Sequence, residues 1–168
     1  MIASLPLPAS GTGLRLRPFA RRDVAAYAAL LERLSPADVR SRFHSAAAPS
    51  SVEQIRTMLF GPHALGGFVV AAPDGTLHGV AHAAAGAVRT AEFGIVVEAA
   101  FRRRGFGGAL TDALFRALGA RGTTTVDAYT LWENHAAAAL LASRGFEGRH
   151  EGGGTVRWTL AFGHALAS

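Results

Sequence analysis

The stretch Arg102-Arg103-Arg104-Gly105-Phe106-Gly107-Gly108-Ala109-Leu110 decides the fold class, because it places three arginines and three glycines where a helix is expected to begin. Apolar residues at helical spacing predict that this helix runs from Phe106 to Ala120. Cations at a helix N-terminus oppose the helix dipole, and each glycine inside a helix costs about 1 kcal/mol relative to alanine. An anionic ligand reverses both arguments, since backbone N–H groups, closely approaching glycines and guanidinium groups together bind phosphate. The stretch therefore predicts a diphosphate-binding loop, the alternative being a glycine-rich turn with solvated arginines.

Two common phosphate-binding motifs do not fit this loop. The P-loop requires Gly-Lys-Ser/Thr, and the chain contains no lysine at all. The dinucleotide fingerprint would place its third glycine, after Gly105 and Gly107, at Leu110. Neither nucleoside triphosphate nor dinucleotide binding is therefore predicted.

The elements around the loop predict an α/β (α+β) fold with a mixed, mostly antiparallel sheet of about seven strands and helices on both faces. A helix that joins two strands of one sheet makes a right-handed crossover, so the strands on either side of the 106–120 helix should be parallel. Gly94, inside one of these strands, indicates a bulge or a close approach by a ligand. The predicted strands are Leu14–Phe19, Phe68–Ala72, Leu77–Ala85, Ala91–Glu98, Thr123–Leu131, Phe146–Glu151 and Thr155–Phe162, and the other helices are Arg22–Leu34, Ser35–Phe43, Ser51–Phe60 and Asn134–Ser143.

Length and composition limit the classes of protein that the chain can belong to. Its 168 residues predict one domain, taken as residues 14–168 after a flexible leader over residues 1–13. No apolar stretch is long enough for a membrane span, and no secretory signal is visible, so a cytoplasmic location is expected. The net charge of +5 comes entirely from arginine, which fits a GC-rich bacterial genome. Without interleaved aromatic residues this charge does not indicate nucleic-acid binding.

Metal and nucleophile chemistry is not expected either. The chain has no cysteine, which excludes thiolate ligands and a cysteine nucleophile. His78 and His82 share a strand face but lack an acidic third ligand, so we interpret them as polar strand residues and predict no metal.

Two motifs in this order of elements resemble those of the GCN5-related N-acetyltransferase (GNAT) family. Arg102-x-x-Gly105-x-Gly107 matches its acyl-CoA loop, and Asn134, Ala137, Leu140 and Gly145-Phe146 resemble its second signature. The resemblance covers roughly residues 14 to 162 and implies acetyl-CoA as the cosubstrate. The cofactor-binding residues that it implies are Ile95, Val97, Arg102, Arg103, Arg104, Gly105, Phe106, Gly107, Gly108 and Asn134, with Ile95 and Val97 offering backbone groups to the pantetheine arm.

A narrower resemblance concerns the Pat-type bacterial protein lysine acetyltransferases. It rests on Arg33-Leu34-Ser35-Pro36, on Arg40, Arg42 and Phe43, and on Ala91-Glu92 and Leu131-Trp132-Glu133-Asn134. In that group a glutamate at the position of Glu92 is the general base. The alternative is that Glu92 is an exposed strand carboxylate or part of an ion pair.

One position departs from the family pattern. Many GNAT enzymes have a tyrosine in the last helix that protonates the leaving thiolate, and the matching residue here is Leu141. A thiol with a pKa near 8.5 leaves tolerably as the thiolate, and Ser143 and Tyr129 are candidate substitutes.

The expected function is therefore direct acetyl transfer from acetyl-CoA to a primary amine in a ternary complex. The acceptor is a protein lysine, a protein N-terminus or a small amine, no nucleic-acid or membrane partner is expected, and a homodimer stays open. The alternative is a non-catalytic acyl-CoA sensor or partner-binding domain with the same fold.

Overall fold

The computed structural model describes residues 5–6, 13–43, 49 and 51–162, and it contains one sheet of eight strands. The strand order is β1-β2-β3-β4-β5-β6-β8-β7, and every neighbouring pair is antiparallel except β5 and β6. The strands are β1 (Leu5–Pro6), β2 (Arg15–Pro18), β3 (Ala64–Ala71), β4 (Leu77–Ala85), β5 (Thr90–Val97), β6 (Thr125–Leu131), β7 (Glu147–Gly152) and β8 (Thr155–Ala161). The predicted mixed sheet of about seven strands is confirmed, with the two-residue β1 as an addition.

In the described part of the chain five α-helices lie on the two faces of this sheet, and three of them begin at residues that cap them. Ser51 accepts a hydrogen bond from the backbone of Gln54, whose side chain in turn accepts from the Ser51 N–H, so that α3 begins with a capping box. Ser35 Oγ accepts a hydrogen bond from the Asp38 N–H at the start of the helix over Pro36–Phe43, and Asn134 caps the helix over His135–Ala142 through the Ala137 N–H. The helices are α1 (Val24–Glu32), α2 (Pro36–Phe43), α3 (Val52–Phe60), α4 (Phe106–Ala120) and α5 (His135–Ala142).

Two apolar cores hold the helices against the sheet. On one face Leu110, Leu114 and Leu118 of α4 are almost fully buried and pack with Leu141 of α5. On the other face α1 and α3 form a second core over Val80 and Val96 of the sheet. Side chains alternate between faces along a strand, so each residue of β5 belongs either to the α4 side or to the α1–α3 side.

The pairing of β5 shows where the sheet opens. Its register with β4 is continuous from Gly79 opposite Val97 to Ala85 opposite Ala91, so the bulge predicted at Gly94 was wrong. Its parallel register with β6 runs only from Thr90 opposite Thr125 to Phe93 opposite Ala128. The two strands therefore part at Gly94, and the glycine marks the end of a ladder rather than an extra residue in it.

The ends of the chain are described only in part. Leu5 and Pro6, inside the predicted leader, pair with Leu16 and Arg15 of β2. The rest of that leader before Gly13, and residues 163–168, lie outside the described residues. Within the described part, no helix is both long enough and apolar enough to span a membrane.

Candidate active site

The parting of β5 and β6 exposes a length of strand backbone. The N–H of Glu98 donates to the His78 carbonyl at 2.9 Å, and the N–H of Gly86 donates to the Thr90 carbonyl at 2.9 Å, so the even-numbered residues of β5 face β4. The backbone groups of Ile95 and Val97 must then point the other way, into the gap where β6 has turned aside. The Val97 carbonyl accepts a hydrogen bond from Arg102 Nε at 3.0 Å. Ile95 and Val97 therefore form an exposed strand edge that can pair with an extended ligand.

A cavity of about 420 Å³ lies between this edge and the first turn of α4. Gly105 precedes the helix with φ +81°, a conformation that favours glycine, and the first N–H groups of α4 point out of its end. A Cβ on Gly107 would contact Leu140 at 3.6 Å, and a Cβ on Gly108 would clash with the Arg144 guanidinium. A larger residue at Gly108 would displace the Arg144 side chain, and one at Gly107 would narrow the space between the helix and Leu140.

The structure divides the predicted cofactor-binding residues into those at the cavity and those beside it. Phe106 is only 1% exposed and its side chain belongs to the core, so only its backbone can reach a ligand. The Arg104 guanidinium lies 5.5 Å from the ring centroid of Phe101 and does not line the cavity. The predicted residues that line it are Ile95, Val97, Arg102, Arg103, Gly105, Gly107, Gly108 and Asn134.

An ion pair that sequence reasoning missed crosses this cavity. Asp38 of α2 accepts a hydrogen bond from Arg102 Nη2 at 2.6 Å and lines the cavity with it. Burial raises the pKa of Asp38, but hydrogen bonds from Ser35 and Arg102 outweigh it and leave the pKa below its usual value. Asp38 therefore remains a carboxylate and holds one arginine of the predicted loop.

A second cavity of about 370 Å³ adjoins the first, and six residues line both: Ser41, Arg42, Ile95, Asn134, Ala137 and Leu140. Glu92 lines this second cavity with an exposed side chain. Glu92, Gly94 and the directly paired His82 lie on the same face of the sheet, because they are two residues apart or opposite each other. The predicted base therefore lies on the α1–α3 side of the point where the strands part.

Arg42, at the end of α2, lies between the two cavities. A Cβ on Gly94 would be only 2.6 Å from Arg42 Nη2, so the glycine leaves room for the guanidinium to lie directly on β5. Arg42 Nη2 donates to His82 Nε2, and its guanidinium lies 4.8 Å from the Phe43 ring centroid. The sequence singled out Arg42 only through a family resemblance and took His82 for an ordinary strand residue. At Gly94 the sequence indicated a close approach by a ligand, and in the structure the Arg42 side chain lies there instead.

Burial keeps the residues around Arg42 uncharged. The pKa of His82 is well below its usual value, first because the ring is buried and second because Arg42 lies beside it. Burial raises the pKa of Tyr27, and the nearby Arg42 only partly offsets that rise. At neutral pH the guanidinium therefore has a neutral imidazole and a neutral phenol as its neighbours.

The candidates for a general acid differ in position. Leu141 is 2% exposed and packs in the α4-side core. Ser143 is outside both cavities, with its hydroxyl donating to the Leu140 carbonyl at 2.7 Å. Tyr129 lines the second cavity, and burial first of all raises its pKa, so it keeps its proton at neutral pH. Of the two substitutes considered, only Tyr129 lies at the site.

The remaining predicted residues have local partners. Asn134 caps α5 by accepting a hydrogen bond from the Ala137 N–H at 3.1 Å, and it lines both cavities. His78 bonds to Glu98 at 2.7 Å and stacks on Phe101. Among the residues that the structure describes, no three histidine or acidic side chains are grouped as metal ligands would be.

Comparisons with known proteins agree with this architecture. The GNAT domain of S. lividans PAT superposes with a TM-score of 0.81 at 20% identity, over 95% of this chain and 96% of that one. A phosphinothricin acetyltransferase from Sinorhizobium meliloti, solved with acetyl-CoA, gives 0.73 at 20% identity over 93% and 92%. The yncA protein of Salmonella typhimurium, also with acetyl-CoA, gives 0.67 at 18% identity over 90% and 95%. At these identities the likeness shows the fold, and the narrower resemblance to Pat-type enzymes stays a prediction.

Two further comparisons concern the sequence itself. No curated protein matches the chain significantly. The model of the acetyltransferase (GNAT) family matches residues 28–146, which include the site described above and more than half of the chain. The chain therefore belongs to the GNAT acetyltransferase family.

Proposed function

We propose that this chain is an N-acetyltransferase that moves an acetyl group from acetyl-CoA directly to a primary amine within a ternary complex. The observation that carries the proposal is the gap between β5 and β6 at Gly94, which joins two cavities with different linings. One cavity has the start of a glycine-rich helix, and the other has a carboxylate.

Acetyl-CoA fits the first cavity by two kinds of contact. The N–H groups at the start of α4 can bind its diphosphate, assisted by Arg102 and Arg103. The pantetheine arm can then extend along the exposed backbone of Ile95 and Val97 as an added strand. This path ends at Gly94, where the thioester would meet the second cavity.

The chemistry needs a base, because an alkylamine is mostly protonated at neutral pH. Glu92 takes a proton from the ammonium group, and the neutral amine attacks the thioester carbon to form the C–N bond. The Ile95 N–H, which points into the gap, is the donor available to the carbonyl oxygen as negative charge develops there. The C–S bond then breaks, the nitrogen releases its second proton to solvent to leave the neutral amide, and the coenzyme A thiolate takes a proton from solvent or from Tyr129, which solvent then reprotonates.

Binding and activity are tested together with a matched pair of glycine variants. Acetyl-CoA at about 100 times its Kd should stabilise the protein by about 2.7 kcal/mol, seen as a higher melting temperature. Gly107→Glu should abolish this rise, since its side chain would enter the diphosphate site with a repelling charge. Gly119→Glu, at an open position of the same helix, should keep it.

Thiol release from acetyl-CoA in the presence of amine panels then measures transfer. A melting temperature that acetyl-CoA leaves unchanged would overturn the binding site. Tight binding of acetyl-CoA with no thiol release for any amine would favour the alternative function, a non-catalytic acyl-CoA sensor.

A further inference from the structure

The second cavity contains one cation whose charge is not paired within the part of the chain that the structure describes. Arg42 contacts His82, Tyr27, Phe43 and the Gly94 backbone, and none of these carries a negative charge. No ion pair joins Arg42 to any described carboxylate, and its Nε is buried without a hydrogen-bond partner. Such an arrangement costs free energy unless an anion completes it.

Glu92 is the complementary group, and it is the one carboxylate among the described residues that line the second cavity. Gly94 lies under the Arg42 guanidinium, and Glu92 is two residues along the same strand on the same face. The rise of a strand places the Cα atoms of Glu92 and Gly94 about 7 Å from each other. The cavity therefore presents a positive and a negative group side by side, and the other polar residues that line it, Ser41, His82, Tyr129, Thr130 and Asn134, carry no charge at neutral pH.

We infer that the acceptor is a small zwitterion, an amine that carries a carboxylate within a few bonds, with the carboxylate bound by Arg42 and the amine presented to Glu92. This inference rests on the proposed function and names its substrate class. A bidentate guanidinium–carboxylate contact would fix the orientation of the acceptor, and the amine would then lie next to the base. The lysine side chain of a protein carries no carboxylate beside its amine and would leave Arg42 without an anion.

The size of the site supports the same class. A volume of about 370 Å³ is at the small end of ligand pockets, which suits a free amino acid. The buried neighbours of Arg42 also hold the guanidinium against the strand, so the cation is positioned before the acceptor arrives.

The test compares amines that differ only in the carboxylate. Leucine is paired with isopentylamine and phenylalanine with 2-phenylethylamine, and a lysine peptide with blocked ends is the third arm. In the wild type kcat/KM for thiol release should be about 10- to 100-fold higher for the amino acid of each pair, the effect of a hydrogen bond to a charged group. Arg42→Gln should remove this difference, and Arg42→Lys should restore part of it. Because Arg42 also lines the first cavity, acetyl-CoA affinity is measured separately and kcat/KM for the amine is compared at saturating acetyl-CoA.

Arg40→Gln is the matched control, because Arg40 lies on the same helix, is exposed and lines neither cavity. It should leave the preference unchanged. Equal rates for the two members of each pair, a preference for the lysine peptide, or an equal loss for both members in Arg42→Gln would overturn the inference while transfer itself stands.

Calorimetry separates the two proposals if no amine is acetylated. If leucine binds the coenzyme A-loaded wild type but not Arg42→Gln, the inferred ligand class is supported and the proposed acetyl transfer is contradicted. Absence of both transfer and leucine binding would overturn both.

Discussion

At the scale of single residues, Glu92 carries the chemical proposal. Glu92→Gln keeps the shape of the side chain but cannot accept a proton, so turnover should fall by about 10²- to 10⁴-fold with little change in acetyl-CoA affinity. Part of the rate should return as the pH approaches the amine pKa of about 10, where the neutral amine becomes plentiful. Steady-state thiol-release kinetics over this pH range measure both effects.

Glu133→Gln serves as the control for that variant. Glu133 is exposed and lines neither cavity, and its Oε1 lies 3.5 Å from Arg40 Nη2. The turnover of the Glu133→Gln variant should therefore match that of the wild type. Unchanged turnover in Glu92→Gln at neutral pH would instead make Glu92 structural and assign the proton to another group.

At the scale of elements, α2 lines the first cavity, and the ion pair between Asp38 and Arg102 ties it to the loop before α4. Asp38→Asn removes this ion pair and also a negative charge beside the site proposed for the diphosphate. The melting temperature of the free protein should fall slightly, because the ion pair is lost. Acetyl-CoA should bind about two- to fivefold more tightly, because Arg102 no longer has to leave an exposed ion pair to reach the diphosphate. Titration calorimetry and melting curves measure the two changes.

Glu53→Gln is the corresponding control, because this variant loses the ion pair between Glu53 and Arg56 of α3, and neither residue lines a cavity. It should leave the acetyl-CoA affinity unchanged. Weaker acetyl-CoA binding in Asp38→Asn would mean that the position of α2, rather than the charge of Asp38, governs the site.

The elements that the sequence predicted well are those with local signals. The capping residues Ser51 and Ser35-Pro36 predicted the starts of α3 and α2. The turn before β4 also formed as its residue types indicate, with the Asp74 side chain accepting a hydrogen bond from the Thr76 N–H. β3 begins at Ala64, four residues before the predicted start, because Gly66 and Gly67 hid its pattern. Contacts between distant segments left no local signal, so Asp38 beside Arg102 and Arg42 beside His82 could be found only in three dimensions.

At the scale of the whole molecule, the buried His82 makes stability depend on pH. Its folded-state pKa lies well below the usual 6.5, so below pH 6.5 the unfolded chain binds a proton that the folded protein does not. The free energy of unfolding should therefore fall as pH drops from 6.5 towards 5, by up to about 1.4 kcal/mol per unit from this group. Urea unfolding at pH 7.5, 6.5 and 5.5 measures the slope.

Two substitutions assign that slope. His82→Gln should flatten it, whereas His150→Gln, at an exposed position of β7, should not. A wild-type slope that survives in His82→Gln would show that other groups cause the pH dependence.

The short ladder between β5 and β6 also has a mechanical consequence. These four residue pairs are the sheet's link between a five-strand block, β1 to β5, and a three-strand block made of β6, β8 and β7. Because the two strands part beyond these pairs, the sheet can be divided most easily at this place. A ligand that hydrogen-bonds along β5 in the first cavity, as proposed, should also contact α5 on the other side of the opening, so its binding should hold the two blocks together as well as supply a reactant.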